Sequence, residues 1–444
     1  MSEPESRRWL VLSCMFWLGL MQAVGWVTYS ANPQIASEYY GFENAKASID
    51  MLLNWGPIMY LPVAPLVGYL IAKNADHLWH VILSGAVLTA TGMVLRLMPN
   101  ILGLRVTSHA AHACVHLGQA LNGAAGPMNC VTPSALAALW FPSHQRAVAT
   151  SVVFAIQMAG PPIGFLFGLR ISSSSDLVML MAIEAGFALA VVVAWAFLPS
   201  KPKVPPSNSQ ELRATAQSVE RRSASPVSLQ RWASTTFLVL SGSFVIGVFQ
   251  CWSPALPTQL QGVLPEALLK WLVIISASAS VFGNFAAPPL IEAWGLQWRL
   301  KMALAVMLLV QLVAFGIFTA SLPDSPVPLS GAVTSSPSWL IAWLVVASVA
   351  EGAMAPMVYE LSAELTYPHS EGVTGAAFSW LLNFWGFLLL WIFPLVPSRY
   401  DSLMMTGTCI VSLLLLAVVH AEYPRRRLDE TDCQTTELLP STGA

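Results

Sequence analysis

Charge is what this chain has least of. Lys and Arg number 21 and Asp and Glu 23 among 444 residues, a charged fraction of 10%. A soluble globular domain carries about 25%. With a net charge of −2 there is no basic surface to neutralise phosphates, so nucleic acid is not an expected partner. Cysteine is also sparse. Cys14, Cys114, Cys130, Cys251 and Cys409 fall inside apolar runs and Cys433 in a polar tail, which suits small packing residues and excludes a disulfide framework. There is no Cys-x-x-Cys pair and no close His/Cys cluster, so no metal and no cofactor is expected. No Asn-x-Ser/Thr sequon is present, which argues against N-glycosylation. Nor does a paired base and nucleophile stand out, so an enzyme is not expected.

What fills the chain is apolar sequence, 55% of all residues. A hydrocarbon core of about 30 Å needs about 20 mostly apolar residues per helix. Runs of that length occur at 9–31, 48–72, 77–99, 111–139, 146–170, 177–198, 232–256, 264–292, 297–320, 337–362, 371–394 and 402–421. They predict an all-α polytopic membrane protein with twelve spans and the lipid bilayer as its solvent. The first run is too long for a cleavable signal, and a second span follows directly. With the N-terminus inside, fifteen Lys and Arg lie on inner segments (Arg7, Arg8, Lys73, Arg146, Lys201, Lys203, Arg213, Arg221, Arg222, Arg231, Arg299, Lys301 and Arg425 to Arg427). Six lie outside: Lys46, Arg96, Arg105, Arg170, Lys270 and Arg399. The positive-inside rule then puts both termini in the cytosol.

The longest polar stretch, 199–231, opens Pro-Ser-Lys-Pro-Lys and turns Ser-, Gln- and Arg-rich, the composition of a flexible linker. It separates an amino-terminal bundle of six helices (1–198) from a carboxy-terminal one (232–421), and a tail of 422–444 follows. Six plus six around a central loop suggests the two pseudo-symmetric bundles of a major facilitator, with a substrate site between the halves near the midplane. Gly160-Pro161-Pro162-Ile163-Gly164 partly resembles the helix 5 motif of antiporters; a packing kink is the simpler account. The facilitator loop signature is reduced to Gly68-Tyr-Leu-Ile-Ala72-Lys73, and its second-half counterpart, Glu292-Ala-Trp-Gly295-Leu-Gln-Trp-Arg299-Leu-Lys301, is better kept.

An acidic cluster closes the tenth run: Glu360-Leu-Ser-Ala-Glu364-Leu-Thr-Tyr367-Pro368-His-Ser-Glu371-Gly372. Together with His116-Leu-Gly118-Gln119-Ala-Leu-Asn122-Gly123-Ala-Ala-Gly126-Pro127, Trp55-Gly56-Pro57-Ile58 and Gly247-Val248-Phe249, it resembles one solute-carrier family of the major facilitators. That family holds the feline leukaemia virus subgroup C receptors, and the likeness runs nearest to its disrupted-in-renal-carcinoma branch. The resemblance implies transport of a small organic solute by alternating access. Choline and ethanolamine are associated with the receptors, which were also linked to haem export; pyridoxine and the lysosome are associated with the other branch. A haem or porphyrin exporter, or a receptor or scaffold that moves nothing, are the alternatives.

The resemblance also places candidate substrate contacts. Trp26, with Gln22 one turn before it, matches a receptor Trp in an aromatic wall around a quaternary ammonium, and a ring face attracts such a cation by about 0.5–2 kcal/mol. Gln250 stands where the receptors have a cavity Tyr, with Trp252 two residues on. Asn122 lies one turn from the position of a cavity Gln, and Asn383 matches another amide. More amides and fewer rings suit a hydroxylated aromatic such as pyridoxine.

Among buried acids, Glu184 and Glu351 lie within spans, where carboxylates mark proton pathways or silent hydrogen bonds. His112 and His116 are candidates for sensing lumenal acid. Glu360 and Glu364 share a helix face at i, i+4. With Glu371 they stand level with Arg146, Arg299 and Lys301, so a charge latch closing the inner gate is expected. The tail ends Glu437-Leu438-Leu439-Pro440, an imperfect acidic dileucine signal with Gln434 at the usual acidic position. Lysosomal or plasma membrane is the expected location, and a monomer the expected state.

Overall fold

The computed structural model describes residues 6–73, 77–141, 143–202, 227–323, 325–328, 336–366 and 371–424. Most of the linker and tail lies outside these residues, including the dileucine signal. So do Tyr367 and Pro368 and the side chains of Arg146 and Glu371.

Twelve long helices and two short ones account for the described chain. The first bundle comprises α1 (Arg7–Val27), α2 (Pro33–Tyr40), α3 (Ala45–Lys73), α4 (Leu78–Ile101), α5 (His109–Val131), α6 (Pro133–Trp140), α7 (Ser143–Gly168) and α8 (Ser174–Ala196). The second comprises α9 (Leu229–Gln259), α10 (Glu266–Ala293), α11 (Leu300–Ser321), α12 (Pro337–Thr366), α13 (Glu371–Ile392) and α14 (Ser398–Val418). Ten of the helices are long and apolar enough to cross a membrane among the described residues. This is a multi-pass membrane protein.

Two local features depart from the run-by-run expectation. The fourth run is not one helix. The chain breaks between Val131 and Pro133, where Thr132 donates to the Met128 carbonyl (2.5 Å) and Pro133 opens α6 as its first residue. A proline fits that position because its missing N–H would be unpaired there in any case. The eight-residue α2 was not foreseen; it is too short and polar for a span, and it starts at Pro33 and stops at Gly41 in the left-handed region (φ 67°). Elsewhere local signals hold. Ser108, Ser173 and Ser228 cap α5, α8 and α9, and Ser173 forms a reciprocal capping box with Asp176.

Within the first bundle, α1 packs on α5, α7 and α8, and α5 on α3 and α4. Within the second, α12 packs on α10 and α11, and α9 on α12, α13 and α14. The bundles meet where α3 lies against α13 and α9, and α7 against α10. The Gly160–Gly164 motif is part of an α1–α7 seam. A β-carbon at Gly160 would overlap Ala23, one at Gly164 would overlap Val27, and one at Gly168 would stand 3.0 Å from Ala31. In lipid, where apolar association gains little, such close backbone approach carries helix packing.

Candidate functional site

The ends of the helices define two faces. The terminal face carries residues 6 and 424; the far face carries the end of α1 and the start of α3. Between them, α1, α5, α9 and α13 carry the side chains expected for a substrate.

Gln22 and Asn122 stitch α1 to α5 reciprocally. Gln22 Nε2 donates to the Asn122 carbonyl (3.2 Å), and Asn122 Nδ2 donates to the Gln22 carbonyl (3.0 Å). Both amide nitrogens are thus used on backbone. Asn122 Oδ1 is buried without a partner among the described residues. Beside them, Gly126 leaves room next to Gln22 Nε2 and the Tyr60 ring, 3.5 and 3.7 Å from where its β-carbon would lie. Trp26 is fixed by its indole N–H, which donates to the Leu53 carbonyl at 2.7 Å. A β-carbon at Gly56 would come 2.5 Å from Trp26 Nε1, so the ring lies tight on α3. On the opposite side, Asn383 Nδ2 donates to the Ser379 carbonyl (3.0 Å). Ser379 Oγ meets Tyr60 Oη at 2.7 Å across the bundles. Gln250 is the one exposed residue of α9 between Phe237 and Gln259, a stretch otherwise buried or half-buried.

Trp252 is placed elsewhere, and the expectation of a substrate contact there is corrected. It is 0% exposed and lies among Phe249, Phe315 and Phe318, with ring centroids 6.0, 5.3 and 6.1 Å away. Two residues along a helix is a turn of about 200°, which carries it from the Gln250 side into the core of the second bundle.

A family profile described as Major Facilitator Superfamily matches residues 7–394. The chain belongs to the major facilitator superfamily. A relative described as solute carrier family 49 member 4 homolog, from Xenopus tropicalis, is 27% identical over 95% of this chain and 93% of its own length. The human choline/ethanolamine transporter FLVCR2 is 23% identical over 86% of this chain and 69% of its own. Among solved structures, a D-xylose-proton symporter has a similar fold: TM-score 0.68, 13% identity, 91% of this chain and 96% of that one covered.

In this facilitator the buried acids have separate surroundings. Glu184 is 3% exposed and paired to Arg96 (Oε2 to Nη2, 2.6 Å), while Thr28 Oγ1 donates to its other oxygen at 2.7 Å. Arg96 also donates to the Gly25 carbonyl (2.9 Å) and lies 5.5 Å from the centroid of the Tyr29 ring. Arg96, counted above with the outer charges, is 1% exposed inside α4 and not on a loop. Glu351 is 1% exposed and accepts from Ser280 Oγ at the α10–α12 seam, where a β-carbon on Gly352 would strike the Ser280 backbone. His116 Nδ1 accepts from Trp55 Nε1 (3.0 Å), and His112 Nε2 bonds with the Tyr40 carbonyl (2.8 Å).

At the terminal face the acidic cluster divides. Glu360, half-buried, lines a cavity of about 420 Å³ with Pro288, Ile291, Glu292, Gln297 and Met357. Glu364 is 0% exposed, and its backbone carbonyl and that of Leu365 accept from Arg231 at 3.2 and 3.0 Å. Arg299 is exposed beside a short 3-10 turn. Lys301 donates to the Ala417 and Val419 carbonyls (3.1 and 2.5 Å), where a cation satisfies the end of α14.

The polar residues that the sequence reading missed join the bundles from the far face to mid-depth. Lys46 Nζ pairs with Asp401 Oδ2 (2.8 Å) and donates to the Val396 carbonyl (3.4 Å). Thr258 Oγ1 donates to Asp50 Oδ1 (2.6 Å), and Asn54 Nδ2 to the Phe387 carbonyl (3.3 Å). Lys270 reaches from α10 to Asn32 Oδ1 (3.2 Å). Trp380 Nε1 donates to the Leu61 carbonyl (3.0 Å). The signal was present, since Lys46, Asp50 and Asn54 recur every four residues and so lie on one helix face.

Proposed function

We propose that this facilitator carries a small organic solute bearing hydroxyl or ammonium donors, by alternating access, in a state closed at the far face. One observation carries the reading. Polar bonds join the bundles from the far face to mid-depth, and at the depth of the inner ones Gln22, Trp26, Gln250 and Asn383 remain partly exposed. A receptor or scaffold that moves nothing has no use for amides at that depth. Gln22, Asn122 and Asn383 each use one amide N–H on a backbone carbonyl, so their side-chain oxygens and one further N–H each are the groups left for a ligand. Oxygens seek donors, which the hydroxyls of pyridoxine, the hydroxyl of choline and the hydroxyl and ammonium of ethanolamine supply. Trp26 adds a ring face for a cation or an aromatic ring.

Positive-inside counting supports a cytosolic terminal face, and the dileucine of the tail supports a lysosomal over a surface location. In this reading the exposed Gln250 side chain leaves α9 on the side not covered by α3, α10, α12, α13 or α14, into the space between the bundles. Glu360, Glu364, Glu371, Arg146 and Arg299 are then the latch of the opposite, cytosolic gate.

The test is uptake of labelled pyridoxine, choline and ethanolamine into proteoliposomes. Uptake above empty vesicles, lowered by Trp26→Ala and unchanged by Trp252→Phe, is the expected result. Pyridoxine uptake no higher than in empty vesicles, with clear choline uptake, would narrow the solute to the organic cations. Retention of none of the three would remove the reading.

A further inference from the structure

The far-face seam holds more carboxylate than cation. Asp50 is 1% exposed and Asp401 0%, and Lys46 is the one cation bonded to either among the described residues. Lys46 pairs with Asp401; Asp50 receives only the Thr258 hydroxyl. Three oxygens at this seam are buried and unpartnered among the described residues: Asp50 Oδ2, Asp401 Oδ1 and Asn54 Oδ1. A buried charge without a partner costs several kcal/mol, and the group neutralises instead.

Among the described side chains the surrounding elements bring no second cation, and that of Arg399, at the start of α14, lies outside them. From α9 comes Thr258, and α13 has no ionisable side chain between Gly372 and Ile392. From α5 come His112 and His116, bonded to the Tyr40 carbonyl and to Trp55. From α2 come Glu38, bonded by Gln34, and the phenols of Tyr39 and Tyr40, directed to Asn100 and to Tyr29. On α10, Lys270 pairs with its own Glu266 (3.1 Å). Between Trp9 and Val27, α1 carries no charged residue.

We infer that closing the far face loads one proton onto the Asp50–Asp401 pair, making this seam the coupling site of the carrier. Among the described side chains, two carboxylates and one ammonium leave one negative charge in excess, and one proton on either acid removes it. Opening hydrates the seam and lets that proton leave to the far side. The sign follows: the closed state binds the extra proton, so acid favours closure and alkali favours opening. The inference rests on the carrier reading, and it assigns coupling to a bundle-to-bundle contact. Glu184 already has its counter-ion inside one bundle.

The experiment measures the far-face distance by paired spin labels on Leu102→Cys and Val327→Cys, both exposed and on opposite bundles. It uses the full chain in nanodiscs, with native cysteines replaced by alanine. From about pH 8 to about pH 5 the short-distance population should rise by up to about tenfold per pH unit. Asp50→Asn or Asp401→Asn leaves no excess charge, and either should flatten that response. Lys46→Met leaves two acids to neutralise and should steepen it toward about a hundredfold per unit. A wild-type distance that ignores pH, an Asp50→Asn distance that follows pH like wild type, or shortening by sodium at fixed pH would each overturn the inference. No solute is needed for this readout. Pyridoxine or choline uptake with a pH-independent distance would sink the coupling site alone; a pH-driven distance without uptake would sink the carrier reading alone.

Discussion

Arg96–Glu184 and Lys46–Asp401 are both carboxylate–cation pairs, at 2.6 and 2.8 Å, but they sit in different kinds of place. The first lies inside one bundle, where Thr28 and the Gly25 carbonyl take up further bonding positions of the acid and the guanidinium. The second bridges two bundles and leaves Asp401 Oδ1 and the neighbouring Asp50 Oδ2 unsatisfied. A pair enclosed by one rigid unit never needs to part, and here both carboxylate oxygens are satisfied, with Arg96 Nε the atom left unpartnered among the described residues. A pair between units that separate gains from remaining incomplete, because water replaces the missing partners when the seam opens. Charge inside a bundle therefore holds shape, and charge between bundles sets the balance of states.

The enclosed pair should be indispensable to the fold. Arg96→Met should strand Glu184 in a buried site and lower unfolding free energy by about 3–5 kcal/mol. Thermal unfolding of detergent-solubilised protein reads this, and adding Glu184→Met should restore a large part of it. A melting temperature unmoved by Arg96→Met would remove the distinction.

Asp401→Asn tests the other side. Lys46 is 19% exposed and keeps Asp50 as a nearby acid, so the expected loss in stability is about 1 kcal/mol or less. Its main effect should be on pH-dependent far-face closure. A loss as large as that of Arg96→Met would make the seam a fixed structural contact.

The fold was readable because twelve apolar runs of spanning length require helices, and a polar stretch divides them evenly. Pairings across the fold were harder. Arg96 and Glu184 are 88 residues apart, and nothing local tells a paired Arg from a loop Arg. Asp50 and Thr258 are 208 apart, and the Lys46, Asp50, Asn54 stripe was hidden by its place at the start of a span, where polar residues are ordinary. Trp252 shows the opposite failure: type and neighbourhood suited a binding site, but helix rotation decided its surroundings. Gln22 and Asn122 were legible as polar residues at depth, whereas the use of their nitrogens on one another's backbone was not.

The finest test of the comparison is a neutral bond between the bundles. Tyr60 Oη and Ser379 Oγ lie 2.7 Å apart, joining α3 to α13 nearer mid-depth than Lys46 and Asp401. A neutral hydrogen bond contributes about 0.5–1.5 kcal/mol net, and the ring of Tyr60 stays in place when only the hydroxyl is removed. Tyr60→Phe should therefore leave the melting temperature nearly unchanged and raise the open far-face population by about two- to tenfold at every pH. Because no proton is involved, the pH response should keep its slope and shift bodily. Ser379→Ala should do the same, and the double variant should add little to either single one, since both delete the same bond between the bundles and the Tyr60–Cys130 contact lies within one bundle. Additive effects would mean that the two hydroxyls act through separate partners. A changed slope would tie Tyr60 to the proton site, and the seam would then work as one electrostatic unit from the far face to mid-depth.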